Sequence, residues 1–316
     1  DIFKKIDGRI IEKIQISELA GMIRGQPNTN VIISLYRPSD KRIISYSLNR
    51  EIIAIETVEY QMLENNIGSI KITSFSKQTN NQLKEALLKA KQDKVQAFIL
   101  DLRNNPGGLL DQSVKVASHF LYRKRLVVYT QGRRATDKIE YRAKYKNSLH
   151  SIPVVILINQ NSASAAEIVA GALRDSGKAL IIGENSYGKG TVQTIFRTSD
   201  GSGLRLTTSK YYTPSGIDIT AHGITPEIHI IKNYAKTNGL SFPKKSKATS
   251  LKINGSSLIQ LEETKINNFV KKYYNAVTET SDPTFQFAKI LIKNVSVANK
   301  KKTLEKAREL AANIHY

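Results

Sequence analysis

The chain has no cysteine and no tryptophan among its 316 residues, and only 2 methionines. Without thiols there are no disulfides, no thiolate catalysis and no cysteine-based zinc site. No apolar run approaches the roughly 18 residues that a membrane-spanning helix needs. The first residue is Asp1 rather than Met, so the lack of a leader says nothing about compartment. Acidic residues are scarce too: 27 Asp and Glu stand against 48 Lys and Arg, a net charge of +21. Such a field suits nucleic acid or an anionic membrane surface. Its distribution argues otherwise. Residues 231–316 hold 16 Lys and Arg against 6 acids, so nearly half of the excess sits in the C-terminal tail. The rest is scattered among Asn, Ser and Tyr, and no nucleic-acid motif accompanies it.

What is present is a globular composition, 40% hydrophobic and 24% charged, long enough for about two domains. Up to residue 50, short apolar runs alternate with polar turns. Val31–Leu35 and Ile43–Leu48 predict strands, and Ile16–Ile23 predicts a short helix. From about Ile67 the rhythm becomes strand, helix, strand. The runs Ala97–Leu102, Val154–Ile158 and Leu180–Gly183 are apolar without alternation, as in strands buried on both faces. Helices are expected over Asn80–Lys91, Leu109–Leu121 and Ala163–Leu173, so the core is α/β. Residues 232–256 read as a basic linker. Residues 257–316 read as a helical extension, with helices over 257–277, from Asp282-Pro283 to Ile292, and over 300–314.

Three loops carry the candidate chemistry. Residues 183–194, GENSYGKGTVQT, open like a phosphate-binding loop. The match fails where Gly190 replaces the Ser or Thr that should ligate Mg²⁺. Residues 159–168, NQNSASAAEI, join a buried strand to a helix. A serine there lies beside free backbone N–H groups and the positive helix end, which favours an oxyanion; it could equally be a simple helix cap. Residues 104–108, NNPGG, follow another buried strand. Paired glycines could turn their N–H groups toward a ligand, or merely make a turn. None of the five histidines (His119, His150, His222, His229, His315) has a companion acid in a recognisable motif, and HExxH is absent. A lysine can serve as the base instead, provided that burial in an apolar pocket lowers its pKa. Lys189 lies 25 residues after Ser164, with one helix and one strand between. Gln193 follows and could hold it through its amide oxygen.

Four segments occur together in this order: ILDLRNNPGGL (99–109), SASAAEIVAG (162–171), GENSYGKGTVQT (183–194) and LRLTTSKYYTPSGIDITAHGITP (204–226). On these segments the chain resembles the C-terminal processing peptidases, also called tail-specific proteases, over residues 1 to about 230. The resemblance implies a crotonase/Clp-protease-like catalytic core at 53–231 and a partial, β-rich PDZ domain at 1–52. It implies Ser164 as nucleophile, Lys189 as general base and Gln193 as the residue that positions the lysine. The N–H groups of Ala165 and of Gly107 or Gly108 would form the oxyanion hole. Glu167 reads as structural, and Asp175 has no assigned role. No cofactor and no metal is called for. The implied partners are proteins or peptides held by their C-terminal tails, with an adaptor, a second copy of the chain or a membrane surface as further associates. The implied location is the bacterial periplasm. Asn161 stands where the family often has Gly, and tolerates positive φ better than most residues. The start, DIFKKIDG, is similar to the middle of a PDZ domain, so the chain is expected to lack an N-terminal part. The helix opening at Asp282 is similar to the Asp-x-x-x-Gln helix of proteobacterial members. A tail-binding protein without activity and a basic nucleic-acid-binding protein are the rival readings.

Overall fold

A computed structural model describes residues 1–53, 55–146, 149–231, 252–253, 256–257, 259–262, 266, 282–293, 305, 307 and 309–310. Two compact units are present, residues 1–55 and 56–316.

The first unit is a small antiparallel sheet and one helix. Its strands are β1 (Ile2–Ile6), β2 (Arg9–Ile10), β3 (Asn30–Arg37) and β4 (Arg42–Asn49), in the order β2-β1-β3-β4. Helix α1 (Ile16–Ile23) has the bounds that its apolar spacing predicts. Ile6, Val31 and Ile33 are buried, with Phe3, Leu19 and Met22 packed against them.

The second unit is built on a seven-stranded sheet. Its strands are β5 (Val58–Leu63), β6 (Ile67–Ile72), β7 (Ala97–Asp101), β10 (Val154–Ile158), β11 (Ala179–Gly183), β14 (Ile228–Ile231) and β17 (Ile259–Glu262). Their order is β17-β14-β11-β10-β7-β6-β5. All neighbours are parallel except β5, which pairs antiparallel with β6. The apolar runs form strands covered on both sides. Phe98, Leu100, Ile156 and Ile181 face α2 (Thr79–Gln92), α3 (Leu110–Ser118) and α4 (Ala165–Asp175). Ile99, Val155, Leu157, Leu180 and Ile182 pack in a second core with Phe287 and Leu291 of α6 (Pro283–Lys293). Burying a Leu- or Ile-sized side chain contributes about 1.5–3 kcal/mol, so both faces contribute to stability.

A second sheet, of order β12-β13-β8-β9, contains β8 (Leu126–Gln131), β9 (Ile139–Arg142), β12 (Thr191–Arg197) and β13 (Gly203–Tyr212). A four-residue helix α5 (Ile219–His222) precedes β14, and β15 (Lys252–Ile253) pairs with β16 (Ser256–Ser257).

The helix expected over 257–277 is corrected at its start. Ser257 lies in β16, and Ile259–Glu262 form β17 beside β14. An open parallel edge offers backbone partners, and the Ile-Gln-Leu-Glu alternation suits a strand. The helix expected from Asp282 is present, with the Asp282 carboxylate accepting from the Phe285 N–H at 3.0 Å. Most of the linker 232–256, and most of the helices expected over 257–277 and 300–314, fall outside the described residues.

Candidate active site

The three candidate loops leave the C-terminal ends of β7, β10 and β11, which are neighbours in the sheet. Crevices at the carboxyl ends of parallel strands are where α/β sheets place their ligands.

Ser164 is the half-buried last residue before α4. Its φ of 53° and ψ of −112° lie in a region that non-glycine residues rarely occupy. Such strain costs roughly 1–3 kcal/mol and persists only where the surroundings enforce it. Here they do. Ser162 Oγ donates to the Leu102 carbonyl at 2.8 Å, and Ala163 N–H donates to the Asn105 carbonyl at 2.9 Å. Tyr187 N–H donates to the Ser162 carbonyl at 2.9 Å. The serine turn is thus stitched to both of the other loops.

The glycine loop lies directly against the serine. A Cβ on Gly107 would come within 2.7 Å of Ser164 Cβ and of the Ala163 carbonyl oxygen, and within 3.0 Å of Ala165 N. The φ of Gly107 is +97°, which few side chains tolerate. Gly108, at φ +142°, presses on the Phe75 carbonyl, where a Cβ would sit 2.2 Å from the oxygen. The two glycine amides differ. Gly107 N–H already donates to Asn105 Oδ1 at 2.8 Å. Among the described residues, the N–H groups of Gly108 and Ala165 donate to no other group. The buried Asn105, whose Nδ2 also donates to the Ile72 carbonyl at 2.7 Å, therefore shapes this loop.

Lys189 comes to the serine loop through its backbone. Its N–H donates to Glu167 Oε2 at 3.0 Å, and the Ser164 N–H donates to the same oxygen at 2.7 Å. Glu167 Oε1 accepts from Ser186 Oγ at 2.5 Å and from Gly188 N–H at 2.6 Å. Glu167 is fully buried, and burial pushes its carboxyl pKa up while these donors pull it down. This role was readable in part, because Ser164-x-x-Glu167 fits a capping box. The expectation that the lysine side chain is buried in an apolar pocket needs correction, since Lys189 is exposed. An unpaired ammonium is costly to bury, and only the backbone of this loop is gripped. Gln193 lies on β12 at a bulge and is also exposed. Among the described residues, no hydrogen bond joins the side chains of Ser164, Lys189 and Gln193.

Other polar features lie elsewhere. His119 is partly buried against Asn80, and burial together with Lys84 lowers its pKa to about 4. A cleft beside the start of α6 is lined by Lys71, Asp101, Arg103, Glu184 and Asp282, and includes neither Ser164 nor Lys189. Its cations are paired: Arg103 bridges Asp101 and Asp282 at 2.5 Å each, and Lys71 lies 3.4 Å from Glu59. Among the described residues, no three His, Asp or Glu side chains gather as a metal site.

The model of peptidase family S41 matches residues 66–230. A carboxy-terminal-processing protease of Bartonella bacilliformis is 40% identical over 232 residues, covering 72% of this chain and 53% of that protein. A probable CtpA-like serine protease of Staphylococcus aureus is 37% identical over 230 residues, covering 73% and 46%. The chain therefore spans about half the length of these curated relatives. A solved photosystem II D1 C-terminal processing protease superposes with a TM-score of 0.51 at 28% identity, over 72% of this chain and 62% of that one. With the family matched over more than half of its residues, and with all three loops inside the match, the chain belongs to peptidase family S41.

Proposed function

We propose that this chain is a serine endopeptidase that cleaves unfolded or tagged polypeptides near their C-termini by a Ser-Lys mechanism. The observation that carries this reading is the meeting of three loops at the carboxyl ends of three neighbouring strands. They bring a strained serine, a glycine turn with a free amide and a lysine-bearing loop together. Neutral Lys189 accepts the proton of Ser164 Oγ as that oxygen attacks the peptide carbonyl carbon. The N–H groups of Ala165 and Gly108 stabilise the oxyanion of the tetrahedral adduct. The C–N bond breaks, Lys189 returns the proton to the leaving amine, and an acyl-enzyme remains. Water, deprotonated by Lys189, then releases the new C-terminus. Gln193 orients the lysine by accepting a hydrogen bond from it. Substrate arriving at the site covers the lysine and supplies the desolvation that the exposed side chain lacks. A location outside the cytoplasm, as in the periplasm, accords with this substrate class. So does capture of C-terminal tails by the β-rich first unit, read as part of a PDZ domain.

One observation favours the rival of a tail binder without activity: Lys189 is exposed and has no hydrogen bond to Ser164. The deciding experiment incubates an unfolded protein with an apolar C-terminus with the chain or its Ser164→Ala variant, without ATP or metal. Products are read by mass spectrometry. Cleavage by the parent alone supports the protease. Binding with no cleavage by either favours the rival.

A further inference from the structure

Glu167 lies outside the set Ser164, Lys189 and Gln193, yet beside the Tyr187 N–H to Ser162 carbonyl bond it makes a direct link between the two loops that carry the nucleophile and the base. Its carboxylate receives four donors. Two of them, the Ser164 and Lys189 amides, share one oxygen at 2.7 and 3.0 Å. The other two, Ser186 Oγ and Gly188 N–H, share the second at 2.5 and 2.6 Å. Ser186 Oγ accepts in turn from the Ile224 N–H at 2.6 Å. The chain thus runs from α4, through one carboxylate, into the loop after β11 and on to the segment after α5. The facing groups are uncharged: three amides and a hydroxyl. Lys189 contributes its N–H here, and its side chain is exposed.

We propose that Glu167 is the positioning residue that fixes the Ser164 loop and the Lys189 loop at their working separation, and that it does so only as a carboxylate. This inference rests on the endopeptidase reading for its effect on turnover. An acceptor with two oxygens is required because each oxygen serves two donors. In Glu167→Gln one oxygen becomes an NH₂. If the remaining oxygen faces Ser164 and Lys189, the Gly188 amide loses its acceptor. If it faces Ser186 and Gly188, both loop amides lose theirs. The first arrangement leaves the link but frees one anchor. In Glu167→Ala the carboxylate's four bonds are gone, and the Tyr187 N–H to Ser162 carbonyl bond is left to hold the two loops. Protonation at low pH places a hydroxyl among the donors and acts in the same direction as the Gln change. Burial raises the carboxyl pKa, so this occurs at a less acidic pH than for an exposed Glu.

Two measurements on the full chain test this. The first needs no activity: the amide resonances of Ser164, Gly188 and Lys189 are followed by NMR against pH. They are expected to move together, with one midpoint above the ordinary Glu value, and to lose that titration in Glu167→Gln. Independent movement of the three, or an unchanged titration in the variant, overturns the link. The second is kinetic. A loss in kcat of about 10-fold for Gln and 100-fold or more for Ala is expected, with KM within threefold, as for a misplacement of about 1 Å. Gln kinetics equal to the parent at all pH values overturn the positioning role. If the parent shows no Ser164-dependent cleavage, the endopeptidase reading fails, and the amide titration still decides whether Glu167 joins the loops.

Discussion

Replacing Gly107 by alanine tests how closely the glycine loop and Ser164 are fitted. The new Cβ would lie 2.7 Å from the Ala163 carbonyl oxygen, 2.7 Å from Ser164 Cβ and 3.0 Å from Ala165 N. Two of these neighbours are backbone atoms and the third is held by backbone, so none can swing aside. Alanine at a φ of +97° costs about 1–3 kcal/mol. Relief of the overlap costs a further 1–3 kcal/mol or so by analogy with overpacked cores. A sum of roughly 2–6 kcal/mol corresponds to a fall in Tm on the order of 4–24 °C for a unit of this size. The loop can yield only by moving away from Ser164, and it carries the free Gly108 amide with it. Losing one such donor costs about 100- to 1,000-fold in kcat. The assay pairs calorimetry with cleavage kinetics, using Gly177→Ala as a control. Gly177 also has positive φ, +72°, but nothing within 4 Å of the added Cβ. It should lose about 1 kcal/mol and keep its turnover. A Gly107→Ala protein with the parent's Tm would refute the packing argument. One that is destabilised but turns over at the parental rate would refute the oxyanion role of this loop.

Lys189→Arg should abolish cleavage, because arginine keeps its proton; turnover within tenfold of the parent would remove Lys189 as the base. Arg103→Met should lower Tm by about 5–10 °C, because it leaves the nearly buried Asp101 without its cation and frees Asp282 at the start of α6. An unchanged melting curve would show that the cluster is inert. The depressed pKa of His119, about 4 against an ordinary 6.5, has a definite sign. The unfolded chain takes up its proton first. Stability is therefore full above pH 6.5, falls as pH drops from 6.5 to 4, and loses no more below that. About 3 kcal/mol is at stake, and the stability difference between the parent and His119→Gln should shrink over that window; a constant difference would contradict it.

The parallel core was legible because its signal is local. The run Val154 to Ile158 has no polar position, and an apolar run that short suits a strand covered on both sides. The sheet β12-β13-β8-β9 was not, because β13 reads Gly-Leu-Arg-Leu-Thr-Thr-Ser-Lys and is exposed along that stretch. Along that stretch its strand state comes from pairing with β12 and not from a buried face, and Tyr211 near its end is buried where β8 pairs with it. β17 was hidden for a similar reason, since its conformation depends on the open edge of β14. At the site, Ser164 and Lys189 stood out by their loops. Asn105 did not, and Glu167 did so only as the fourth residue of a capping box, because their importance lies in which backbone groups of other loops they reach, and sequence spacing says little about that.

The adjacency of β7, β10 and β11 has a consequence for how this site tolerates change. The glycine turn, the Ser164 turn and the Lys189 loop each hang from one rung of a ladder, and neighbouring rungs of any sheet stand about 4.8 Å apart. That spacing belongs to the peptide group and is the same whatever side chains fill the core. Val154, Val155 or Ile181 can therefore be exchanged for other apolar residues of similar size without disturbing the alignment of the loops. Slippage is another matter. Ile158 lies opposite Gly183, and Leu157 opposite Asp101. An insertion of one residue in any of these strands would carry its loop about 3.3 Å along the axis, farther than the length of a hydrogen bond. Composition in these strands is free to drift, and their length is not.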